Sequence, residues 1–192
     1  MRYKIEFLSD WHVGSGLTAG AETDAEVLKD RRNLPYIPGK TIKGLLRDAV
    51  REMQEVNQID RDIADELFGH EVKDDQDRVV RTHKGSLFFS NANLPKDEQK
   101  EIPSELADFL YRNISSTKIT NKGVAKANSL RTMEVCMPIT LVGEINCYKE
   151  GKEKELTQKE KELLQKALKW VRRLGVNRNR GLGRCQFVEL EK

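Results

Sequence analysis

Six periodic segments follow one another along the chain in the order strand, helix, strand, strand, helix, strand. Apolar and polar residues alternate in the strand segments, which read "YKIEFL", "GSLFFSNA", "ITLVGEINCY" and "RCQFVEL". Thr157 and Glu160 form a capping box at the start of the second helix, and Gly175 ends that helix. The first helix starts near Thr41, and the spacing predicts one buried face made of Ile42, Leu45, Leu46, Ala49, Val50, Met53 and Val56.

This order is that of the ferredoxin-like β-α-β-β-α-β plan, in which two helices cover one face of a four-stranded antiparallel sheet. The sequence therefore predicts an α+β fold in a single domain spanning residues 1–192. The RNA recognition motif uses the same plan, but its K/R-G-F/Y-G/A-F-V-x-F/Y signature is missing here. If this chain binds RNA, it must do so with other residues.

The remaining segments read as insertions. Residues 57–84 contain a short predicted helix at 59–68 that stops at Gly69, followed by a polar stretch, 70–84, that we expect to be mobile. Ser104 can cap a short helix that turns Leu106, Phe109 and Leu110 inward. Residues 113–133 are polar, basic and glycine-containing, and the sequence predicts a hairpin or loop that projects from the domain.

Positive charge is unevenly distributed, although the formal net charge is only +3. No Asp or Glu occurs from Phe109 to Met133 or from Leu163 to Val188, whereas the acids gather between Asp60 and Asp77. A solvated surface usually mixes both signs, so two long acid-free windows indicate a polyanionic partner, and nucleic acid fits best. The basic residues in these windows are Arg112, Lys118, Lys122, Lys126, Arg131, Lys166, Lys169, Arg172, Arg173, Arg178, Arg180 and Arg184.

The sequence offers no sign of membrane insertion. It has no run of about 18 apolar residues, and its first ten residues alternate too quickly for a signal peptide, so a cytoplasmic location is expected. Cys136, Cys147 and Cys185 form no C-x-x-C pair and lie in strand-like text, which predicts buried free thiols. His70 and His83 have no metal-binding spacing, and no role is assigned to them.

The stretch "LPYIPGKTIKGLLRDAV" contains Gly-Lys-Thr at the start of a helix, as a nucleotide-binding P-loop does. A P-loop needs an earlier glycine at the position of Leu34, and two prolines remove backbone donors that such a loop would use. ATP or GTP binding by this motif is therefore excluded. A helix start with Lys40, Thr41 and Lys43 remains, and it suits a phosphate group.

The segment "GVNRNRGLGR" alternates glycine and arginine between the second helix and the last strand. Glycines allow the backbone to approach a phosphate closely, and arginines supply forked donors to it. An ordinary turn with solvated arginines would have a similar composition. The position between these two elements favours a phosphate-binding loop at residues 175–184.

Six motifs in this order resemble the RAMP superfamily of CRISPR-associated proteins: "HVGSG", "LPYIPGKTIKGLLRDAV", "ELFG", "GSLFFSNA", "SLRTMEV" and "GVNRNRGLGRCQF". The resemblance covers nearly the whole chain and is strongest to the backbone subunit of type III effector complexes, which polymerises along the guide RNA. Its most specific parts are the glycine-rich loop and the helix start formed by Pro35, Pro38, Gly39, Lys43 and Gly44.

The resemblance implies that the helix start and the glycine-rich loop face the guide RNA backbone. It also implies that the basic segment at 113–133 is the family's thumb, a hairpin that wedges into the guide–target duplex and kinks it. Target RNA and neighbouring RAMP subunits of the complex are the further partners expected. The residues assigned to RNA contact are His12, Lys40, Thr41, Lys43, Arg47, Lys118, Lys122, Lys126, Arg131, Asn177, Arg178, Arg180, Gly181, Gly183 and Arg184.

Backbone subunits of this family cleave target RNA with an aspartate in the loop after strand one, and the matching residue here is Asp24. Glu22 and Asp30 are alternatives in the same loop. One carboxylate could place a divalent ion, Mg²⁺ or Mn²⁺, or help to deprotonate a ribose 2′-hydroxyl. Two other functions stay open: a binding subunit without catalysis, and a metal-independent endoribonuclease that processes guide precursors, for which His12 is the candidate catalytic residue.

Overall fold

A computed structural model describes residues 1–14, 16, 24–56 and 61–190 of the chain. These residues form a mixed α+β structure with antiparallel sheets, which confirms the predicted class. The helices are α1 (Gly39–Glu55), α2 (Arg61–Phe68), α3 (Lys96–Glu101) and α4 (Gln158–Trp170), with 3₁₀ turns at Ser104–Leu110 and Arg178–Arg180. The strands are β1 (Arg2–Phe7), β2 (Gly69–Lys73), β3 (Val79–Lys84), β4 (Leu87–Phe89), β5 (Tyr111–Ser116), β6 (Arg131–Cys136), β7 (Thr140–Lys149), β8 (Lys152–Lys154) and β9 (Cys185–Leu190).

The main sheet has the strand order β4-β7-β1-β9, with β8 paired to β7. In the central strand β1, Ile5 lies opposite Leu141 of β7 and Phe187 of β9, and all three side chains are buried. Alternate residues of each strand therefore face the core, as the predicted period of two requires. The other face of the sheet carries polar residues and a few exposed apolar side chains.

Helices α1 and α4 pack against each other and against the sheet, and together they bury its apolar face. Of the predicted α1 face, Ile42, Leu46, Ala49, Val50 and Met53 are buried. Leu45 packs at the edge of the core, whereas Val56 is 56% exposed because it follows the last helical residue. No described helix is long and apolar enough to cross a membrane.

The α4 capping box is confirmed, and it includes a buried ion pair. The Glu160 carboxylate is 4% exposed and accepts the Thr157 N–H and the Lys149 ammonium, each over 2.7 Å. Burial acts to raise the pKa of Glu160, but these hydrogen bonds outweigh it and hold the pKa below its ordinary value of 4.5. The folded state therefore favours the ionised carboxylate.

We expect Glu160→Gln to lower the free energy of unfolding at pH 7 by about 2 kcal/mol, because the amide keeps the Thr157 contact but loses the ion pair with Lys149. A depressed carboxyl pKa stabilises the fold above the unfolded pKa, and this contribution is lost as the pH falls through the folded pKa. The difference between wild type and variant should therefore shrink below about pH 4. Urea unfolding at pH 7 and pH 3 measures this, with Glu162→Gln as a control on the exposed side of α4. A difference that persisted at pH 3 would contradict the assignment.

Two predicted segments differ from the structure. The polar stretch after Gly69 is not a mobile loop, because β2 and β3 form an antiparallel hairpin there, in which the rings of His70 and His83 stack at 4.6 Å. The 3₁₀ turn at Ser104–Leu110 starts without a side-chain cap. It buries Ala107, whereas Leu106 and Phe109 are 51% and 71% exposed instead of facing inward.

The basic segment forms an antiparallel hairpin, with β5 and β6 paired from Tyr111 with Cys136 to Ser116 with Arg131. Its distal part, residues 117–130, is almost entirely exposed. We call residues 111–136 the thumb hairpin. All three cysteines are free and buried, as predicted, and burial raises the pKa of the Cys185 thiol to about 12.

Candidate nucleic-acid interface

Three segments meet at one end of the main sheet: the chain after β1, the base of the thumb hairpin and the glycine-rich loop at 175–184. Trp11 exchanges backbone hydrogen bonds with Cys136 at the hairpin base, over 3.0 and 2.8 Å. The carbonyl oxygens of Asp10 and His12 accept the N–H groups of Gly183 and Val176 over 2.7 and 2.9 Å. The chain after β1 thus lies between the other two segments and holds both.

Close backbone approach explains two glycines of the loop. Gly175 has φ 98°, and a Cβ at this position would lie 2.3 Å from the His12 carbonyl oxygen. Gly183 has φ 68°, and a Cβ there would lie 1.9 Å from the Leu174 carbonyl oxygen. Both positions exclude side chains, so the loop's path depends on these residues.

The arginines of the loop are directed to solvent. Arg178, Arg180 and Arg184 are exposed, and the Arg178 carbonyl accepts a hydrogen bond from the Arg173 guanidinium over 2.8 Å. Asn177 has φ 55° and begins the 3₁₀ turn that carries Arg178 and Arg180. Both guanidinium groups are accessible to solvent, and exposed arginines suit the repeating phosphates of a nucleic-acid strand.

Asp24 lies beside the thumb hairpin. Its N–H donates to the Thr132 carbonyl and its Oδ2 accepts the Thr132 N–H, both over 2.8 Å. The carboxylate is exposed, and Oδ1 has no hydrogen-bond partner among the described residues. The structure thus attaches the predicted catalytic carboxylate to strand β6 of the thumb hairpin, near the end of the β5–β6 pairing that lies away from Cys136.

The alternative catalytic carboxylates are those of Asp30 and Glu22. Asp30 Oδ1 accepts the N–H groups of Arg32 and Leu34 over 2.8 and 2.9 Å, so it closes a local turn. Glu22 lies outside the described residues. Of the described pair, Asp24 is attached to the thumb hairpin, and Asp30 closes a turn of its own loop.

His12 joins two segments of this region. Its side chain is only 2% exposed, and Nδ1 donates to the Glu134 carbonyl over 2.7 Å. Since a carbonyl can only accept, Nδ1 carries the proton. The imidazole thus links the chain after β1 to the thumb hairpin, and its contact with RNA stays a prediction.

At the start of α1, some of the predicted RNA-contacting residues are exposed and others are partly buried or hydrogen-bonded within the protein. Lys40 and Thr41 are exposed and line a groove of about 780 Å³. The Lys43 ammonium donates to the Leu87 carbonyl over 2.9 Å, and burial together with Arg47 lowers the pKa of Lys43. Arg47 is half-buried with no partner for Nε among the described residues. Contact of Lys43 with RNA would require it to leave Leu87.

The predicted thumb residues Lys118, Lys122, Lys126 and Arg131 are all exposed. The hairpin tip beyond the strands is ordered by hydrogen bonds between its own residues. Thr117 and Ser129 share a hydroxyl hydrogen bond of 2.8 Å, and the Lys126 N–H donates to the Lys118 carbonyl over 2.8 Å. The cations thus extend from a defined hairpin, not from an open loop.

Two acidic residues that the sequence did not single out organise this region. Glu134 accepts the Val27 N–H over 2.9 Å and pairs with Lys29 over 2.7 Å, whose ammonium also lies 4.1 Å from the centre of the Tyr111 ring. Asp10, 8% exposed, pairs with Arg112 of the thumb hairpin. The signal available in the sequence was position: Glu134 is the first acid after a long acid-free window.

Few side chains of this region could bind a metal ion. Among the described residues no cluster of three or more His, Cys, Asp or Glu could hold an ion. Asp24 offers one carboxylate oxygen, Oδ1, that has no partner among the described residues, at an exposed position. Mg²⁺ commonly binds through one or two carboxylates and completes its shell with water and substrate phosphate. Asp24 fits that pattern only in the presence of a bound RNA.

Comparisons with known proteins agree on a family. A family model described as the RAMP superfamily matches residues 4–186. A chain in the cryo-EM structure of the type III-B Cmr-beta bound to cognate target RNA superposes with a TM-score of 0.68 at 10% identity, covering 97% of this chain and 95% of that chain. A chain in the apo-state Cmr-beta structure gives 0.65 at 12% identity, with the same coverage. No curated protein sequence matches the chain.

Proposed function

Because the chain belongs to the RAMP superfamily, we propose that it is a guide-RNA-binding backbone subunit of a type III CRISPR effector complex, and that it cleaves complementary target RNA. The observation that carries the proposal is the meeting of an exposed arginine turn, the thumb hairpin and Asp24 at one end of the sheet. Exposed basic residues next to the exposed Asp24 carboxylate suit a site that binds one strand and cuts another.

Guide binding is assigned to the glycine-rich loop and to the start of α1. Arg178, Arg180 and Arg184 supply forked donors to phosphates, and Lys40 and Thr41 add contacts at the helix start. These contacts go to the backbone, so they would hold a guide of any sequence. Adjacent copies of the subunit and target RNA are the other partners in this proposal.

Target cleavage is assigned to Asp24. Oδ1, which has no partner among the described residues, would accept the proton of a ribose 2′-hydroxyl. The hydroxyl oxygen would then attack the adjacent phosphorus, the bond to the 5′-oxygen would break, and water would protonate the leaving 5′-oxygen. The thumb hairpin would bend the target strand so that the hydroxyl lies in line with that bond. A divalent ion bound with the substrate would neutralise charge on the phosphate. With one carboxylate, positioning supplies most of the rate, and slow turnover is expected.

The proposal includes the ferredoxin-like plan for the core. The order β4-β7-β1-β9 in the sheet, with α1 and α4 each lying between two of these strands in the sequence, supports it. The alternative of a subunit that binds the guide without cleaving has the same fold and assembly, with a catalytically inactive loop, and leaves cleavage to another subunit. The precursor-processing alternative needs an accessible histidine, and the burial of His12 counts against it.

The charge-reversal variant Arg178→Glu/Arg180→Glu tests guide binding. We expect the affinity for single-stranded RNA to fall at least tenfold, and the slope of log K against log salt concentration to drop by about 0.7 for each lost phosphate contact. Filter binding at several salt concentrations measures both. RNA recovered with the purified wild-type complex should match spacers of a CRISPR array.

Lys152→Glu/Lys154→Glu is the matched control, because it makes the same charge change on the exposed strand β8, away from the glycine-rich loop. Equal losses in the two double variants would indicate a general effect of net charge. An unchanged salt slope in Arg178→Glu/Arg180→Glu would show that this loop does not contact RNA.

A further inference from the structure

Phe88 is an aromatic side chain that the core does not use. It is the middle residue of β4, between Leu87 and Phe89, which are 4% and 6% exposed and face the core. Because successive side chains in a strand point to opposite faces, Phe88 lies on the outer face of the sheet, and it is 56% exposed. Tyr148 of β7, 42% exposed, lies beside it, so the two rings together present aromatic surface that a ligand can contact.

The Phe88 ring is held in a defined orientation. It meets Tyr148 of β7 edge-on, with ring centres 6.3 Å apart and an interplanar angle of 87°. Backbone pairing places Phe88 opposite Asn146 of the same strand. A perpendicular partner contacts at most one face of the Phe88 ring, so Tyr148 leaves the other face uncovered. The contact also restricts the rotamers of Phe88 before binding, which lowers the entropy that binding costs.

Phe88 also lines the groove at the start of α1. Tyr36, Lys40, Thr41 and Asn91 line the same groove, and none of its described lining residues is an Asp or Glu. Asn91 Oδ1 accepts the Gly39 N–H over 3.0 Å, which turns the amide NH₂ away as a free donor. Among the described lining residues, the groove therefore combines aromatic surface, neutral donors and one cation, and none of them repels a phosphate.

We propose that Phe88 is a stacking platform for one base of the bound RNA strand, whose neighbouring phosphate lies against Lys40 and Thr41. This inference rests on the proposed function and adds a base contact to an interface otherwise made of backbone contacts. Aromatic side chains on small β platforms commonly hold single-stranded nucleic acid in this way, and stacking is tolerant of sequence because every base has a flat face. A neighbouring protein subunit would better fit a groove that carried charges of both signs.

The first test compares Phe88→Ala with wild type on two RNAs of equal length, oligoadenylate and a strand of the same backbone with abasic sites. Loss of stacking should weaken oligoadenylate binding about 5- to 150-fold. The abasic strand, which keeps every phosphate, should bind both proteins equally. Phe88→Trp should restore the affinity, because an aromatic face is all that the contact needs.

The second test measures the fluorescence of a tryptophan placed at position 88. In a Trp170→Phe background only the buried Trp11 contributes other indole fluorescence, so the emission of the Phe88→Trp variant should be quenched by oligoadenylate and not by the abasic strand. Normal RNA affinity without quenching would overturn the inference alone. So would loss of self-association in Phe88→Ala, measured by sedimentation, with unchanged RNA binding. Absence of RNA binding by wild type would overturn the proposed function and this inference together.

Discussion

Asp24→Asn should reduce target cleavage by at least a hundredfold while guide binding stays within twofold of wild type. The asparagine Oδ1 can still accept the Thr132 N–H, as Asp24 Oδ2 does over 2.8 Å, so the loop keeps its attachment to the thumb hairpin. What the variant loses is the charge that accepts a proton or places an ion, and such a group contributes about 10²–10⁴ in rate. The assembled complex with labelled target RNA measures cleavage, and wild-type products should carry 2′,3′-cyclic phosphate ends.

Asp30→Asn is the matched control. The substituted amide keeps an oxygen that can accept the N–H groups of Arg32 and Leu34, so this variant changes one charge in the same loop and preserves its turn. We expect cleavage within threefold of wild type. Loss of cleavage in Asp30→Asn and not in Asp24→Asn would transfer the catalytic role to Asp30. Undiminished cleavage in both would leave the non-catalytic binding subunit, or a carboxylate outside the described residues, as the answer.

Gly183→Ala should lower the free energy of unfolding by about 3 kcal/mol or more. The backbone here has φ 68°, which costs an L residue about 1–2 kcal/mol. The added Cβ would also lie 1.9 Å from the Leu174 carbonyl oxygen, so the loop must move away from Leu174, which follows α4. In a chain of this size the loss corresponds to a decrease in Tm of about 6–12 °C. Thermal unfolding followed by circular dichroism gives the value.

Gly181→Ala is the control for Gly183→Ala, because it adds the strain of a positive φ without a close contact of the new Cβ. Gly181 has φ 95°, but a Cβ there meets nothing within 4 Å among the described residues. This variant should cost only about 1 kcal/mol, the ordinary penalty for a side chain in this backbone region. Similar losses in both variants would show that contact with Leu174 contributes little. Because Gly183 also sets the path of the arginine turn, its variant should bind RNA more weakly than Gly181→Ala.

Elements governed by local spacing could be predicted from the sequence. The apolar positions of α1 and the capping box of α4 depend on residues within one or two turns of each other, and both are confirmed. The family resemblance is confirmed as well, because its motifs are short and carried by glycines, prolines and basic residues in a fixed order. Most of the predicted RNA-contacting residues are exposed, as such a role requires, but their contacts with RNA stay predictions.

What failed depends on distant partners. Leu106 and Phe109 have helical spacing, yet in the short turn from Ser104 to Leu110 they are exposed, whereas Ala107 is buried and Leu110 is partly buried. The hydrogen bond of His12 to the Glu134 carbonyl, 122 residues away, could not be predicted from the sequence either. Residues 70–84 show no apolar periodicity because few of them are apolar, whereas cross-strand pairing holds the β2–β3 hairpin together. Single-sequence spacing contains no information about such pairs.

The reciprocal hydrogen bonds between Asp24 and Thr132 have a mechanical consequence. They attach the Asp24 carboxylate to the thumb hairpin, which the RNA would displace under the proposed function, and not to the main sheet. A tilt of the hairpin as a duplex enters would carry the carboxylate with it, so that its distance from the displaced nucleotide changes little. Duplex recognition and cleavage would then both depend on movement of the thumb hairpin. A target strand that pairs too poorly with the guide to displace the hairpin would not be brought to the Asp24 carboxylate.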